Sequence, residues 1–577
     1  MKVRQAKTAG FCMGVRRALE RVLGQAYTDP GPIFTYGPLI HNEQVMKLLE
    51  TKGVQEVKDI SALKHGTIII RAHGIPPQER KLLKASGLKI IDATCPRVTR
   101  VQALIRYHTH KGYLAVIVGE KDHPEVIGLK GHGNGRAFVI SAAEEVPLLP
   151  EAEKILVVAQ TTQEKQTYRE IVESIKTRFP DALVYDTICD ATERRQEEVR
   201  GLAAHVDGIV VVGGFHSGNT RRLAQVASST GLPVFHIETD QQLDLEKLSA
   251  MNTIGVTAGA STPNWMINKV VQKIESIRSR RETALDRFLR YTVKFIFQTN
   301  IAAGFGAFSL AHAMNILSGR PPDLILPSLA FLYIYAMHVM NRLLDKGAST
   351  YNDPERASFY RRYRVLLILS GLLAIAGALV LSASFGVSAV LATAGLSLLG
   401  TIYSLPIVPS SRRHLWRYSK IKDIPGSKTF AQAFAWGAVM AIIPLLETPE
   451  GVWSGEIVSF AFVFSVVYVR SAFFDIFQVQ GDLIVGTETL PITLGEKRTL
   501  WLLKWVILAG SIVLVAASLL GWVGSFAYLL LLCYLTLTLC ILAYEKGLLY
   551  PGTRSEAFVE ANLFLAGFLA LLWQWLR

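Results

Sequence analysis

Three cysteines lie far apart in the first half of the sequence, each in a short motif of small, polar and acidic residues: Gly10-Phe11-Cys12-Met13-Gly14, Asp92-Ala93-Thr94-Cys95-Pro96 and Asp186-Thr187-Ile188-Cys189-Asp190. In a reducing compartment an odd set of three argues against a disulfide framework and leaves metal ligation, catalysis or plain burial open. Three thiolates suit an iron–sulfur cluster with one iron left free of protein. Histidines recur in the same half, as Leu39-Ile40-His41-Asn42, Arg71-Ala72-His73-Gly74, Asp122-His123-Pro124-Glu125 and Phe215-His216-Ser217-Gly218-Asn219. Imidazoles, hydroxyls, an amide and backbone N–H groups beside glycine are what a diphosphate needs. Each alone has a structural explanation, as a core histidine or a turn-forming Ser, so their joint occurrence carries the functional reading. Cys533 and Cys540 lie in apolar runs, where burial explains them.

Apolar, β-branched runs at 67–70, 114–118, 155–158, 208–212 and 254–257 are each followed by a helix-like segment. That alternation predicts an α/β fold with buried strands. Three runs lead within a few residues to His73, His123 or His216, and each cysteine sits near the end of a run. The half is therefore expected to hold three related α/β units. Ligands of open α/β sheets collect beyond the carboxyl ends of the strands, so three units facing one another would gather thiols and histidines around one central cluster.

The second half differs in composition. No Asp, Glu, Lys or Arg occurs between Arg364 and Arg412, a stretch long enough for two bilayer crossings. Similar runs at about 292–318, 324–341, 364–383, 387–405, 429–447, 455–474, 500–521, 524–544 and 557–576 predict an all-α transmembrane bundle of about nine helices. Arg342, Lys346, Arg356, Arg361 and Arg362 crowd the loop after the second span, and Arg412, Arg413, Arg417, Lys420 and Lys422 the loop after the fourth, whereas 447–456 is acidic. The positive-inside rule then turns the first half to the cytosol of a bacterial inner membrane. Residues 1–20 lack a secretory h-region, in keeping with that placement. The net charge of +14 is explained by these loops, with no nucleic-acid partner required. The expected division is a soluble domain at 1–280, a basic linker helix at 281–291 and a membrane domain at 292–577.

Across about 1–275, ordered stretches at 10–15, 37–42, 71–74, 92–96, 123–125, 160–162, 187–192, 219 and 257–261 resemble the LytB-type 4-hydroxy-3-methylbut-2-enyl diphosphate reductases. The resemblance implies an oxidoreductase that makes isopentenyl and dimethylallyl diphosphate in the last step of the non-mevalonate pathway. It implies a 4Fe-4S cluster on Cys12, Cys95 and Cys189, and a substrate pocket lined by His41, His73, His123, Thr161, Ser217, Asn219 and Ser261. Glu125 would supply the proton that turns the leaving hydroxyl into water. A ferredoxin- or flavodoxin-like protein would supply the electrons. The family often has a second Ser where Gly218 stands. Charged histidines would bind diphosphate best, so affinity is expected to fall as pH rises through their pKa values. A cluster serving only electron transfer or sensing is the competing class, and it needs neither Glu125 nor the histidines.

Residues 341–349, 475–482 and Tyr403-Ser404-Leu405-Pro406 resemble the UbiA-type intramembrane prenyltransferases, over roughly 285–577. This implies a Mg²⁺ site on Asn341, Asp345, Asp475 and Asp482, a polyprenyl diphosphate donor and an aromatic or lipid acceptor. Arg342, Ser349 and Gln478 stand where the family has Asp, which weakens Mg²⁺ binding, and Arg342 could offset diphosphate charge directly. The alternative is a non-catalytic membrane anchor or prenyl-lipid-binding scaffold.

Overall fold

The computed structural model describes residues 1–29, 31–61, 63–277, 283–344, 351–405, 421–446, 453–485, 488–546, 548–549 and 553–576. They form two units, Met1–Glu282 and Thr283–Arg577.

Twelve strands build the first unit: β1 (Lys2–Gln5), β2 (Ile33–Tyr36), β3 (Val54–Val57), β4 (Thr67–Ile70), β5 (Lys89–Asp92), β6 (Leu114–Val118), β7 (Ala137–Ile140), β8 (Ile155–Ala159), β9 (Leu183–Val184), β10 (Gly208–Val212), β11 (Val234–Ile237) and β12 (Thr253–Ala258). They pair in parallel into three four-stranded sheets, ordered β3-β2-β4-β5, β7-β6-β8-β9 and β11-β10-β12-β1. The path is the same each time. The chain enters on an inner strand, steps to one edge, returns to the other inner strand and ends on the opposite edge. In the third sheet that last position is filled by β1, so the start of the chain completes the unit that its later strands begin.

The inner strands are apolar on both faces because both are covered. In β8, Ile155, Val157 and Ala159 pack with Tyr168, Ile171 and Ile175 of the helix Lys165–Arg178. Leu156 and Val158 point the other way, against Val98, Val101 and Ile105 of the helix Pro96–His110. One run thus joins two cores.

The three-unit organisation is present, but not on the histidines that suggested it. His73 follows β4, the third strand of its unit, whereas His123 and His216 follow first strands, and His216 is exposed. Spacing along the chain does not reveal which strand of a unit a run will become. The equivalent first-strand positions are His41, His123 and Ser217.

The second unit is helical. Six helices among its described residues are long and apolar enough to cross a membrane: Arg364–Ile402, Ser427–Leu445, Ser454–Val479, Glu496–Leu519, Phe526–Glu545 and Ser555–Leu576. The runs expected at 364–383 and 387–405 fall in the first of these, as two helices, Arg364–Ser382 and Gly386–Ile402, divided by a tight turn at Ala383–Phe385 and by Gly386 with φ +83°. Ile301–Leu317 is apolar but shorter, and Ile325–Leu344 carries Tyr333, Tyr335, His338 and Asn341 within its apolar pattern. Small residues allow close approach in this membrane-embedded unit. A Cβ on Gly306 would lie 2.9 Å from Leu563 Cδ1, and one on Gly510 would lie 2.2 Å from the Tyr534 hydroxyl. The loop at 406–420 and residues 278–282 lie outside the described residues, and the remainder of the expected linker, from Ala284, falls in the helix Ala284–Gln298.

Because Leu156 is fully buried between the sheet and the helix Pro96–His110, L156A should destabilise the first unit by about 2–5 kcal/mol. Hydrogen exchange of the β6 and β8 amides in the full chain checks this; unchanged protection would contradict the packing described.

Candidate active site

Within each unit the first and third strands lie side by side while their connections leave in opposite directions, which opens a crevice at their carboxyl ends. His41, His123 and Ser217 come from the first-strand loops, His73, Thr161 and Ser261 from the third-strand loops, and Cys95, Cys189 and Cys12 follow the fourth strands. All line a single cavity of about 110 Å³, together with Glu125 and Asn219. The residues expected of the first half are therefore brought together.

Each cysteine is the N-cap of the next helix: Cys12 of Met13–Thr28, Cys95 of Pro96–His110 and Cys189 of Asp190–Ala203. A helix N-terminus offers unpaired N–H groups and a positive dipole end, both of which favour thiolate. Val15 N–H donates to Cys12 Sγ at 3.5 Å. The cysteine backbones are stitched to the third-strand loop of their own unit, with N–H donors reaching the carbonyls of Ala260 (from Cys12), Ala72 (from Cys95) and Thr161 (from Cys189) at 2.9–3.1 Å. Two glycines make room. Gly10 has φ +117°, and a Cβ on Gly14 would stand 2.6 Å from Cys95 Sγ. All three thiols are unbridged. Burial pushes the Cys95 thiol up, with the neighbouring Cys12 and Cys189 adding to it, while N–H groups of Arg97 and Val98 oppose the rise. Three soft ligands converging from three helix ends, crowded enough to repel one another, fit an iron–sulfur centre that would draw off their charge.

The opposite wall is built of neutral groups. The rings of His41, His73 and His123 have centroids 4.6–5.8 Å apart. Their nitrogens lie within 4.8 Å of one another. Burial, followed by the neighbouring histidines, drives His73 well below its ordinary value; burial and then His41 take His123 down to about 3. His123 Nδ1 accepts a hydrogen bond from Glu125 N–H at 3.1 Å, so the neutral ring carries its proton on Nε2. Burial thus favours neutral N–H donors at these three positions in the free site. His41 Nε2 and Asn219 Nδ2 are buried and make no hydrogen bond. Gly218 sits beside His123, where a Cβ would stand 3.3 Å from Nε2, so the missing Ser side chain leaves that ring room. Glu125 is 2 % exposed and accepts from Thr161 N–H at 2.7 Å and Thr161 Oγ1 at 2.8 Å. Burial raises its pKa against these bonds, which favours a carboxyl able to hold a proton.

In the membrane unit, Asn341 ends the helix Ile325–Leu344, and Asp475 and Asp482 lie on the helix Ser454–Val485. Asp345 and Ser349 fall outside the described residues. Asp475 is buried and pairs with Lys428 Nζ at 2.8 Å and Thr429 Oγ1 at 2.9 Å. Asp482 accepts from Asn352 Nδ2 at 2.9 Å, and Asn341 Oδ1 accepts from Ser404 Oγ at 3.1 Å. Among the described residues, both Asp475 oxygens, Asp482 Oδ1 and Asn341 Oδ1 therefore each accept from a protein donor. Motif reading missed Lys428 and the buried Arg470–Glu560 ion pair. It also missed Arg195, although Thr192, Arg195, Gln196 and Val199 form the buried face of their helix at helical spacing, with Arg195 where an apolar residue belongs.

Residues 3–275 match the LytB protein family and residues 303–572 the UbiA prenyltransferase family. Over 282 residues the chain is 41% identical to the 4-hydroxy-3-methylbut-2-enyl diphosphate reductase of Geobacter sulfurreducens, a match covering 49% of this chain and 100% of that protein. It is 44% identical over 277 residues to the reductase of the same name from Geotalea uraniireducens, covering 48% and 98%. A solved UbiA homologue from Aeropyrum pernix is 16% identical, with TM-score 0.37, over 48% of this chain and 98% of that one.

Buried neutral histidines also make stability depend on pH. An unfolded histidine titrates near ~6.5, so the stability tied to keeping His123 neutral is fully present above that pH. It is lost as pH falls from there toward the folded value of about 3. Denaturation between pH 7 and pH 5 should show falling stability, and H123N should flatten the slope; equal slopes would contradict a neutral ring.

Proposed function

The chain belongs to the LytB family, joined in its second half to a UbiA prenyltransferase-type domain, and on that premise we propose that it reduces 4-hydroxy-3-methylbut-2-enyl diphosphate to isopentenyl and dimethylallyl diphosphate. Two electrons and two protons enter, the C–O bond to the hydroxyl breaks, and water leaves. What carries the reading is the meeting of three helix-capping cysteines, three histidines and one buried glutamate in a single cavity.

Cys12, Cys95 and Cys189 are the residues that would hold a 4Fe-4S cluster. When bound, it would supply electrons and a Lewis-acidic iron for the substrate hydroxyl. The chain's own groups do the rest. His41, His73 and His123, with Asn219, Ser217 and Ser261, present N–H and O–H donors that suit a diphosphate. Glu125 holds the proton for the departing hydroxyl, and Thr161 fixes both carboxyl oxygens so that the proton has a defined position. The electrons come from a low-potential donor of the ferredoxin or flavodoxin class, and the first half faces the cytosol of a bacterial inner membrane.

For the membrane half we propose prenyl transfer from a polyprenyl diphosphate to an aromatic or lipid acceptor. The Lys428–Asp475 pair favours a second reading, in which the half is an anchor or prenyl-lipid scaffold.

E125Q keeps the shape of the site and removes the ionisable proton carrier, and should lower turnover by about 10²–10⁴-fold with iron content unchanged, measured anaerobically on the full chain. Full activity in E125Q would remove Glu125 from the reaction. Membranes assayed for prenyl transfer with and without Mg²⁺ should show transfer if the half is an enzyme; none under either condition leaves the scaffold.

A further inference from the structure

Arg195 is 4 % exposed, lines the cavity and, among the described residues, forms no ion pair with a carboxylate. A buried guanidinium outside any ion pair is costly, and an anion brought close to it lowers that cost. Two of its nitrogens are anchored: Nη1 donates to Ala191 O at 2.9 Å and Nη2 to Gly10 O at 2.7 Å. Those carbonyls sit two residues after Cys189 and two before Cys12, so the side chain bridges two of the three cysteine segments. The third nitrogen, Nε, is buried and has no partner. Nearby carboxylates are engaged elsewhere: Glu198 accepts from the backbone N–H and hydroxyl of Thr8 at 2.7 Å, and Asp190 pairs with Arg97. The Cys12 and Cys189 thiols, and after them Glu198, are close enough to act on Arg195 electrostatically.

We infer that Arg195 sets the reduction potential of the metal centre on Cys12, Cys95 and Cys189, its Nε–H donating to sulfur and its buried charge favouring the reduced form. This rests on the reading of the site given above. Reduction adds one electron and breaks no bond; charge near the centre and hydrogen bonds to sulfur are among the factors that set such potentials. Arg195 is thus a positioning residue that acts through the centre rather than on the substrate.

The test uses the full chain, reconstituted anaerobically with iron and sulfide as wild type, R195K and R195Q, and titrated with dithionite through redox mediators while the reduced centre is followed by electron paramagnetic resonance. At equal iron content the midpoint potential should fall in both variants, further in R195Q, which loses the charge as well as the fork of donors. Potentials equal to wild type in both would overturn the inference and reduce Arg195 to a clamp between loops. Should R195Q fail to load, R195K decides alone, an unchanged potential overturning the inference. A wild-type chain that takes up no iron would instead defeat the reading of the site itself.

Discussion

Three cysteine sulfurs meet in a half-buried chamber, where little water would screen the repulsion between thiolates. Most of the first unit can be understood as a response to that constraint. Each thiol caps a helix, so a partial positive charge and free N–H groups point at it. Each is tied through its own backbone N–H to the loop that supplies the facing wall. The cysteine loops are tied to one another as well, by Arg195 between Cys12 and Cys189, by the Arg97–Asp190 pair between Cys95 and Cys189, and by the packing of Gly14 on Cys95.

The same repeated path explains why chamber chemistry is divided. Fourth strands end in sulfur, first and third strands in nitrogen and oxygen, and three-fold repetition gathers like with like on opposite sides. One side then carries thiols at helix N-termini, whose dipoles would favour thiolate. The other is kept neutral by burial, with donors ready for an anion whose charge must not add to that of the sulfurs. A charged histidine wall would attract a diphosphate more strongly in the free protein, but the cost of desolvating three adjacent cations forbids it.

Much of this could be read from the residues in order. The cysteines, Glu125 and the pocket histidines were legible because each sits in a short motif at the end of an apolar run, and strand ends are where α/β sheets gather ligands. The unit boundaries were less so. Nothing local says that Lys2–Gln5 completes a sheet begined by Gly208–Val212, since that pairing spans most of the unit. Nor does spacing distinguish His73 on a third strand from His123 on a first. Arg195 stayed hidden because a charged residue on a helix ordinarily faces water, and only tertiary contacts reveal that this face turns inward.

Charge at low dielectric is handled differently in the two halves. In the first, three cysteine thiols and a buried guanidinium face a cavity. In the second, Asp475 is already matched by Lys428, and Arg470 by Glu560 between Trp436 and Phe474. Inside a membrane, breaking such a pair leaves an uncompensated charge in hydrocarbon. A divalent cation arriving at Asp475 would have to displace the ammonium before gaining a ligand, whereas iron arriving at the three thiols displaces only protons. A metal would therefore meet less competition at the three cysteines than at Asp475. Replacement of motif carboxylates by Arg342 and Gln478 acts in the same direction, because each removes a ligand that could have offset the displacement.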